Sequence, residues 1–322
     1  MISSALFFLA VTVIHITDSH RDFGYSGING PSYWGKDFTT CVGKHQSPIN
    51  IEEHQVRNIT LPPLIFSGLH NPRMAEITNN GHTVMVVMDE NIPARVFGGP
   101  LNDTYIFEQM HFHWGEKDTE GSEDLINNHS FAMELHAVFF KEQYKSMTEA
   151  VHHSDGVTVL AYFFEVDKKP NLIYDEIISI LPDVESLDSK SQFTSPLQLS
   201  EFLQPKTVNL ENYFTYTGSL TTPPCAEVVT WIDFKEPLQL SHNQIEHFRR
   251  VRNTAGQKLT HNFRPVQPLE DRIVCHNIPL DDMNFDDNFK SENYVHSGEY
   301  SINVNKVIIF LSIIINLKLK FS

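Results

Sequence analysis

The stretch Gln109-Met110-His111-Phe112-His113-Trp114 decides how the chain is read. Side chains on a β-strand alternate between faces, so a strand here gathers Gln109, His111 and His113 on one side. Met110, Phe112 and Trp114 fall on the other and offer an apolar surface that holds the strand against a core. Two histidines two residues apart on a rigid strand can converge on one metal ion. His-x-His also arises by chance, and strand histidines are often surface residues or hydrogen-bonded core residues, so the pair needs support from elsewhere.

A second stretch offers it. In Phe131-Ala132-Met133-Glu134-Leu135-His136-Ala137-Val138-Phe139 the same alternation places Glu134, His136 and Val138 on one face. Paired beside the first strand, at the usual spacing of about 4.8 Å, it lets His136 complete a three-histidine set. Three protein ligands leave the fourth tetrahedral position open, as in catalytic rather than structural zinc sites. Neither segment contains cysteine, so a closed thiolate site is not available there. Gln109 can accept the second ring N–H of His111, and Glu134 that of His136, fixing tautomer and ring angle. An acid on an otherwise apolar strand is costly unless paired, which favours that role for Glu134.

Outward from these strands the pattern is mainly β. Short runs rich in β-branched and aromatic residues cover 76–78, 83–88, 105–114, 131–139, 157–166 and 227–234. Asn80-Gly81, Gly98-Gly99-Pro100 and Asp155-Gly156 interrupt them where hairpins call for positive φ. Helices are expected over 171–181 and 241–251, the second with Ser241 as N-cap. No linker or repeat divides the chain, so one domain is expected over 21–278. The net charge of −16, from 40 acidic and 24 basic residues, repels nucleic-acid phosphates and anionic lipid and argues against both as partners.

The ends carry other signals. Residues 1–20 contain an apolar run over 5–16, long enough for a signal-peptide core and too short to span a bilayer. The alternative is a buried N-terminal strand, since a basic n-region and a clean cleavage site are lacking. Sequons at Asn58, Asn102 and Asn128 agree with secretion and are candidates for glycosylation. A polar, acidic linker is read over 279–305 and a hydrophobic tail over 306–322. The tail is either the signal for a GPI anchor attached near Ser297 or Gly298, or a short surface-docked extension; Lys318 and Lys320 argue against the first. Membrane association is expected only through such an anchor.

Beyond the zinc stretch, the chain resembles the alpha-type carbonic anhydrases over most of its length. The resemblance rests on Gly43-Lys44-His45-Gln46-Ser47-Pro48-Ile49-Asn50, Asn79-Asn80-Gly81-His82, Gly98-Gly99-Pro100-Leu101 and His111-Phe112-His113-Trp114-Gly115. It continues through Gly121-Ser122-Glu123, Glu134-Leu135-His136, Ser219-Leu220-Thr221-Thr222-Pro223-Pro224, Trp231 and Arg264-Pro265-Val266-Gln267-Pro268-Leu269. It implies a mainly β, α+β single domain around a twisted, mostly antiparallel sheet of about ten strands, with short peripheral helices.

The implied activity is reversible hydration of carbon dioxide to bicarbonate and a proton, serving pH and CO₂/bicarbonate homeostasis, with one Zn²⁺ per chain ionising a water. By the same resemblance Thr221 and Glu123 orient the nucleophile, and Val138, Val159, Leu220, Thr222, Val229 and Trp231, with Thr221, form the substrate pocket. His82 is implied as proton shuttle, with Tyr25 and Asn80 ordering water along the cleft. Cys41 and Cys225 match the pair bridged in extracellular members, which leaves Cys275 over and agrees with a secreted or cell-surface protein.

Three positions depart from the family pattern. Asp124 stands where a histidine is usual, Met85 where a polar cleft residue is common, and Phe23 in place of a frequent tryptophan. Rival readings are a binding module that has lost catalysis, an esterase using the same metal, and a role in mineral deposition or surface attachment carried by the acidic tail. Retention of all three histidines with Thr221 and Glu123 weighs against the first.

Overall fold

The computed structural model describes residues 23–89 and 93–279. The signal-peptide, linker and tail expectations therefore lie outside the described residues, apart from Pro279 at the linker's start. No helix among the described residues is long and apolar enough to cross a membrane.

The two diagnostic stretches form neighbouring antiparallel strands, Tyr105–Trp114 and Met133–Lys141, at the middle of a twelve-stranded sheet. On one side the sheet continues through Val84–Met88 and Ala75–Asn79 to Lys190–Gln192. On the other it runs through Val157–Asp167, Val229–Ser241, Tyr213–Gly218 and Cys275–Asn277 to Arg57–Ile59. A branch, Leu64–Ser67 against Arg95–Gly98, joins Tyr105–Trp114 and completes the twelve, two more than expected. Pairing is mostly antiparallel. The exceptions in this sheet are Val157–Asp167 with Val229–Ser241 and Cys275–Asn277 with Arg57–Ile59.

The alternation read from sequence sorts the core. Met110, Phe112, Trp114 and Leu135, all fully buried, join one apolar cluster behind the sheet. Val138, Val159, Phe163, Tyr216 and Trp231 join a second cluster, on the face that carries His136. Closing both faces removes the large apolar side chains of the central strands from water, at about 25 cal/mol per Å² of apolar surface.

Element ends differ from expectation where local chemistry intervenes. The strand expected from Phe131 begins at Met133, and the one expected over 227–234 runs Val229–Ser241. The helix expected over 171–181 divides into a 3₁₀ turn Leu172–Tyr174, an α-helix Asp175–Ile180 and a second 3₁₀ turn Leu181–Val184 with Pro182 in its first turn. Proline lacks the N–H that would extend the α ladder. The helix expected over 241–251 spans His242–Phe248, and Ser241 caps it in a reciprocal pair with Gln244. Gly81, Gly98 and Gly99 take positive φ as expected, but Gly156 does not. Crowding requires glycine there instead, because a Cβ would sit 1.8 Å from the Ala150 carbonyl oxygen.

Cys41 and Cys225 are bonded across a separation of 184 residues, and Cys275 is free. The bond ties the N-terminal segment to the loop that holds Thr221. A cross-link closing so long a loop restricts the unfolded chain strongly. Replacing both cysteines by serine is expected to lower unfolding stability by about 2–4 kcal/mol in chemical denaturation. An unchanged midpoint would show that the bond does not stabilise the fold.

Candidate metal centre

The strand register brings the three histidines together. His111 lies directly opposite His136 across the central pair, and His113 opposite Glu134. The ring centroids are 5.0 Å apart for His111 and His113, 5.2 Å for His111 and His136, and 4.5 Å for His113 and His136. One ligand nitrogen from each lies within 4.8 Å of the other two.

Each ring is turned by an oxygen acceptor. The Nδ1 of His111 meets Gln109 Oε1 at 3.0 Å, and the Nε2 of His136 meets Glu134 Oε1 at 2.7 Å, both as the sequence suggested. The Nδ1 of His113 donates to the Asn262 carbonyl at 2.8 Å. Because carbonyl and carboxylate oxygens accept, the opposite nitrogens carry bare lone pairs: Nε2 of His111, Nε2 of His113 and Nδ1 of His136. Burial depresses His111 and His136 well below the usual imidazole range, followed by the charge of neighbouring histidines, so both are held neutral.

Asn262 was not singled out in the sequence, although it lies two residues before the Arg264-Pro265 run. It is fully buried, and its side chain accepts from Trp114 N at 2.7 Å while donating to Phe112 O at 2.9 Å and His82 O at 3.0 Å. The contact to His113 is made by its main chain, which carries no signal in residue type.

The fit to zinc can be tested on the protein itself. His113 Nε2 is buried without a hydrogen-bond partner. A bare buried acceptor costs about 1–3 kcal/mol unless something else satisfies it. Three imidazole nitrogens and no thiolate leave the fourth tetrahedral position open, as in a catalytic zinc site.

Glu123 closes the remaining side. Its N–H donates to Glu134 Oε2 at 2.7 Å, and its Oε1 accepts from Arg264 N at 2.7 Å. Its Oε2 stands 3.4 Å from His113 Nε2. Burial raises the Glu123 carboxyl, while His113, the Arg264 N–H and the Thr221 hydroxyl oppose that shift. Thr221 itself is buried. Its loop is pinned by Leu220 N to Ala226 O at 3.0 Å and by Cys225 N to Thr222 O at 2.8 Å.

The expected pocket residues assemble beside the histidines. Val138, Val159 and Trp231 line up across three strands, with Val159 paired to both neighbours. Trp231 packs edge-on against His136 at 4.9 Å, and its Nε1 donates to Ser219 O at 3.2 Å. Val229 is buried on the same strand, and Leu220 packs on this cluster. Thr222 lies in the loop at intermediate exposure.

Toward solvent, the His82 ring stacks on Phe23 at 3.8 Å and 8°. Asn80 Oδ1 accepts from the main-chain N–H groups of His82 and Thr83, both at 2.9 Å, so Asn80 shapes the turn that presents His82. Tyr25 is largely buried, and its phenol is raised by burial and then by the Glu123 charge. Met85 pairs directly with His111 on the adjoining strand. Asp124 supplies hydrogen bonds of its own, its Oδ1 accepting from Ile49 N at 2.7 Å and Tyr216 OH at 3.0 Å.

Comparison with known proteins gives the same reading. Residues 29–278 match the family model described as eukaryotic-type carbonic anhydrase. Carbonic anhydrase 7 of Mus musculus is 38% identical over 266 residues, covering 79% of this chain and 97% of that protein. Carbonic anhydrase 7 of Homo sapiens shows the same identity and coverage. With a matched region that spans nearly all the described residues and a three-histidine centre at its middle, the chain belongs to the eukaryotic-type carbonic anhydrase family.

Proposed function

We propose that this protein is a zinc carbonic anhydrase that interconverts carbon dioxide and bicarbonate and serves pH and bicarbonate balance outside the cell. The observation that carries the reading is the gathering of three histidine nitrogens within 4.8 Å of one another, one of them buried without a hydrogen-bond partner. Zinc held by His111, His113 and His136 supplies the Lewis acidity that ionises water near neutral pH, an established property of this enzyme class.

The chain's own residues then have separable tasks. Gln109, Glu134 and the Asn262 carbonyl fix the tautomers and aim the rings. Ionised Glu123 can only accept, so the Thr221 hydroxyl donates to it and turns a lone pair toward the reacting oxygen. That fixes the nucleophile's direction. The Thr221 main-chain N–H meets the substrate oxygen on which charge develops. Carbon dioxide has no net charge or dipole, and Val138, Val159, Leu220, Val229 and Trp231 offer it an apolar wall, with Thr222 at the rim. Met85 extends that wall beside His111 and favours apolar groups in inhibitors.

The proton released in each turnover passes to His82, since imidazole is the side chain suited to proton exchange near neutrality. Tyr25 and Asn80 border its path. The ring stacks on Phe23, and His82 is partly exposed, so it can discharge to solvent.

Secretion is supported by the Cys41–Cys225 bond, which persists in oxidising compartments. It is supported also by exposure of all three sequon asparagines, Asn58, Asn102 and Asn128. A C-terminal lipid anchor would be the route to the membrane, with 279–305 as the spacer.

Stopped-flow CO₂ hydration with zinc analysis tests the centre. His136→Ala is expected to abolish hydration and zinc retention together; hydration that survives in the zinc-free variant would overturn the reading. Glu134→Ala should weaken zinc affinity about 10–100-fold. Thr221→Ala should keep zinc but lower kcat by about 10²-fold. For His82→Ala, kcat should fall in dilute buffer and recover with added imidazole, whereas KM should change little. Absence of rescue would assign the proton path elsewhere. Expression in a secreting eukaryotic cell should yield protein whose mass falls on N-glycosidase treatment, and substituting Asn58, Asn102 and Asn128 with glutamine should remove that shift.

A further inference from the structure

Beneath the metal centre lie two carboxyl groups that the proposed chemistry does not use. Asp233 is fully buried, and neither of its oxygens has a hydrogen-bond partner. Asp124 is also fully buried, with Oδ1 doubly bonded by Ile49 N–H and Tyr216 O–H and Oδ2 unpartnered. These two acids thus leave three buried carboxyl oxygens without donors.

The fold brings the two acids to one place. Asp233 lies two residues from Trp231, on the same strand face, and opposite both Ala161 and Phe214. Tyr216 shares that face, stacks on Trp231 at 6.1 Å and 7°, and sends its hydroxyl to Asp124. Other charged groups acting there are Glu123 and Glu134, from the metal side, and Arg272. Arg272 spends its donors on the Leu269, Thr217, Gln46 and Pro268 carbonyls, and neither Asp124 nor Asp233 forms an ion pair among the described residues.

Two neighbouring carboxylates with no cation in ion-pair contact do not both ionise readily in an apolar surrounding. We propose that Asp124 and Asp233 form a buried acid pair holding one proton between them, directly or through one buried water, and that Asp233 is a positioning residue for the metal centre. The proton converts Asp233 into a donor, and Asp124 Oδ2 is the acceptor without a partner. The mechanical link runs onward from Asp124. Its main-chain N–H donates to Glu134 Oε2 at 3.0 Å, and Glu134 Oε1 holds His136. Loss of the proton places two like charges behind that arm and loosens it.

Burial pushes Asp124 up to about 7 against the hydrogen bonds from Ile49 and Tyr216, which lower it; burial and then the Asp124 charge raise Asp233 well above the usual carboxylate range. Raised native values mean that the folded protein keeps a proton the unfolded chain releases near pH 4. Stability from the pair is therefore greatest in acid. It declines as pH rises from about 4 through neutrality, and levels off once the native pair has fully ionised.

The test uses the zinc-loaded full chain. Melting temperature is measured from pH 5 to 9, with infrared detection of protonated carboxyl groups and zinc release to a chelator. In the unmodified protein a protonated-carboxyl band is expected at pH 6, together with a melting temperature that falls and zinc release that quickens toward pH 9. Asp233→Asn keeps the shape, and Asp233→Val suits the apolar cluster, so at least one is expected to fold. Either should remove part of that band, flatten the decline, raise the melting temperature at pH 9 and slow zinc release there. An unchanged band and slope in both variants would overturn the proposal, as would absence of the band at pH 6. The infrared and melting readouts need no enzymatic activity, so their outcome is separable from that of the CO₂-hydration reading.

Discussion

The cross-strand register that sets His111 opposite His136 is the constraint on which the rest of this protein depends. Side chains on a strand repeat every two residues, so a slip of one position would turn Gln109, His111 and His113 into the apolar core. The same slip would bring Met110, Phe112 and Trp114 to the metal face. Burial of those three prevents it. The hydrophobic effect thus holds the register, and the register builds the metal site.

Around this pair, buried polar groups tie distant parts of the chain to the centre. Glu134 grips the main chain of Glu123 and Asp124 while holding His136. Asn262 bridges Trp114, Phe112 and His82 and turns His113 with its own carbonyl. Arg264 reaches Gln46, Ser47 and Cys41 with its guanidinium and Glu123 with its N–H. Each link satisfies groups that would otherwise be desolvated without partners, so each resists removal more than a surface bond would. A site built this way is pre-aimed. Little reorganisation is left for the moment of reaction.

The acids in this core play unlike roles because their partners differ. Glu134 is met by two main-chain N–H groups and a histidine, Glu123 by an N–H and the Thr221 hydroxyl, and Asp124 by an N–H and a phenol. Asp233 has none of these. Position among donors, more than residue type, separates an acid that orients a ligand from one left without partners.

Much of this was legible in sequence because it depends on local period and residue chemistry. Alternation along 109–114 and 131–139 identified the three histidines, Gln109 and Glu134, and the Ser241–Gln244 cap follows from local side-chain reach. Family resemblance supplied Thr221, Glu123 and the Cys41–Cys225 pairing. Other features were settled only by tertiary structure. Asn262 acts through a carbonyl, which every residue possesses; Gly156 is required by the approach of a carbonyl six residues away; Asp233 reads as an ordinary polar interruption of a strand until the fold buries it without a partner. Sequence by itself determined which side chains share a face, since that is a property of one strand. Which faces meet, and which buried groups are left without partners, depends on contacts between segments far apart in the chain, and only the folded structure decided those.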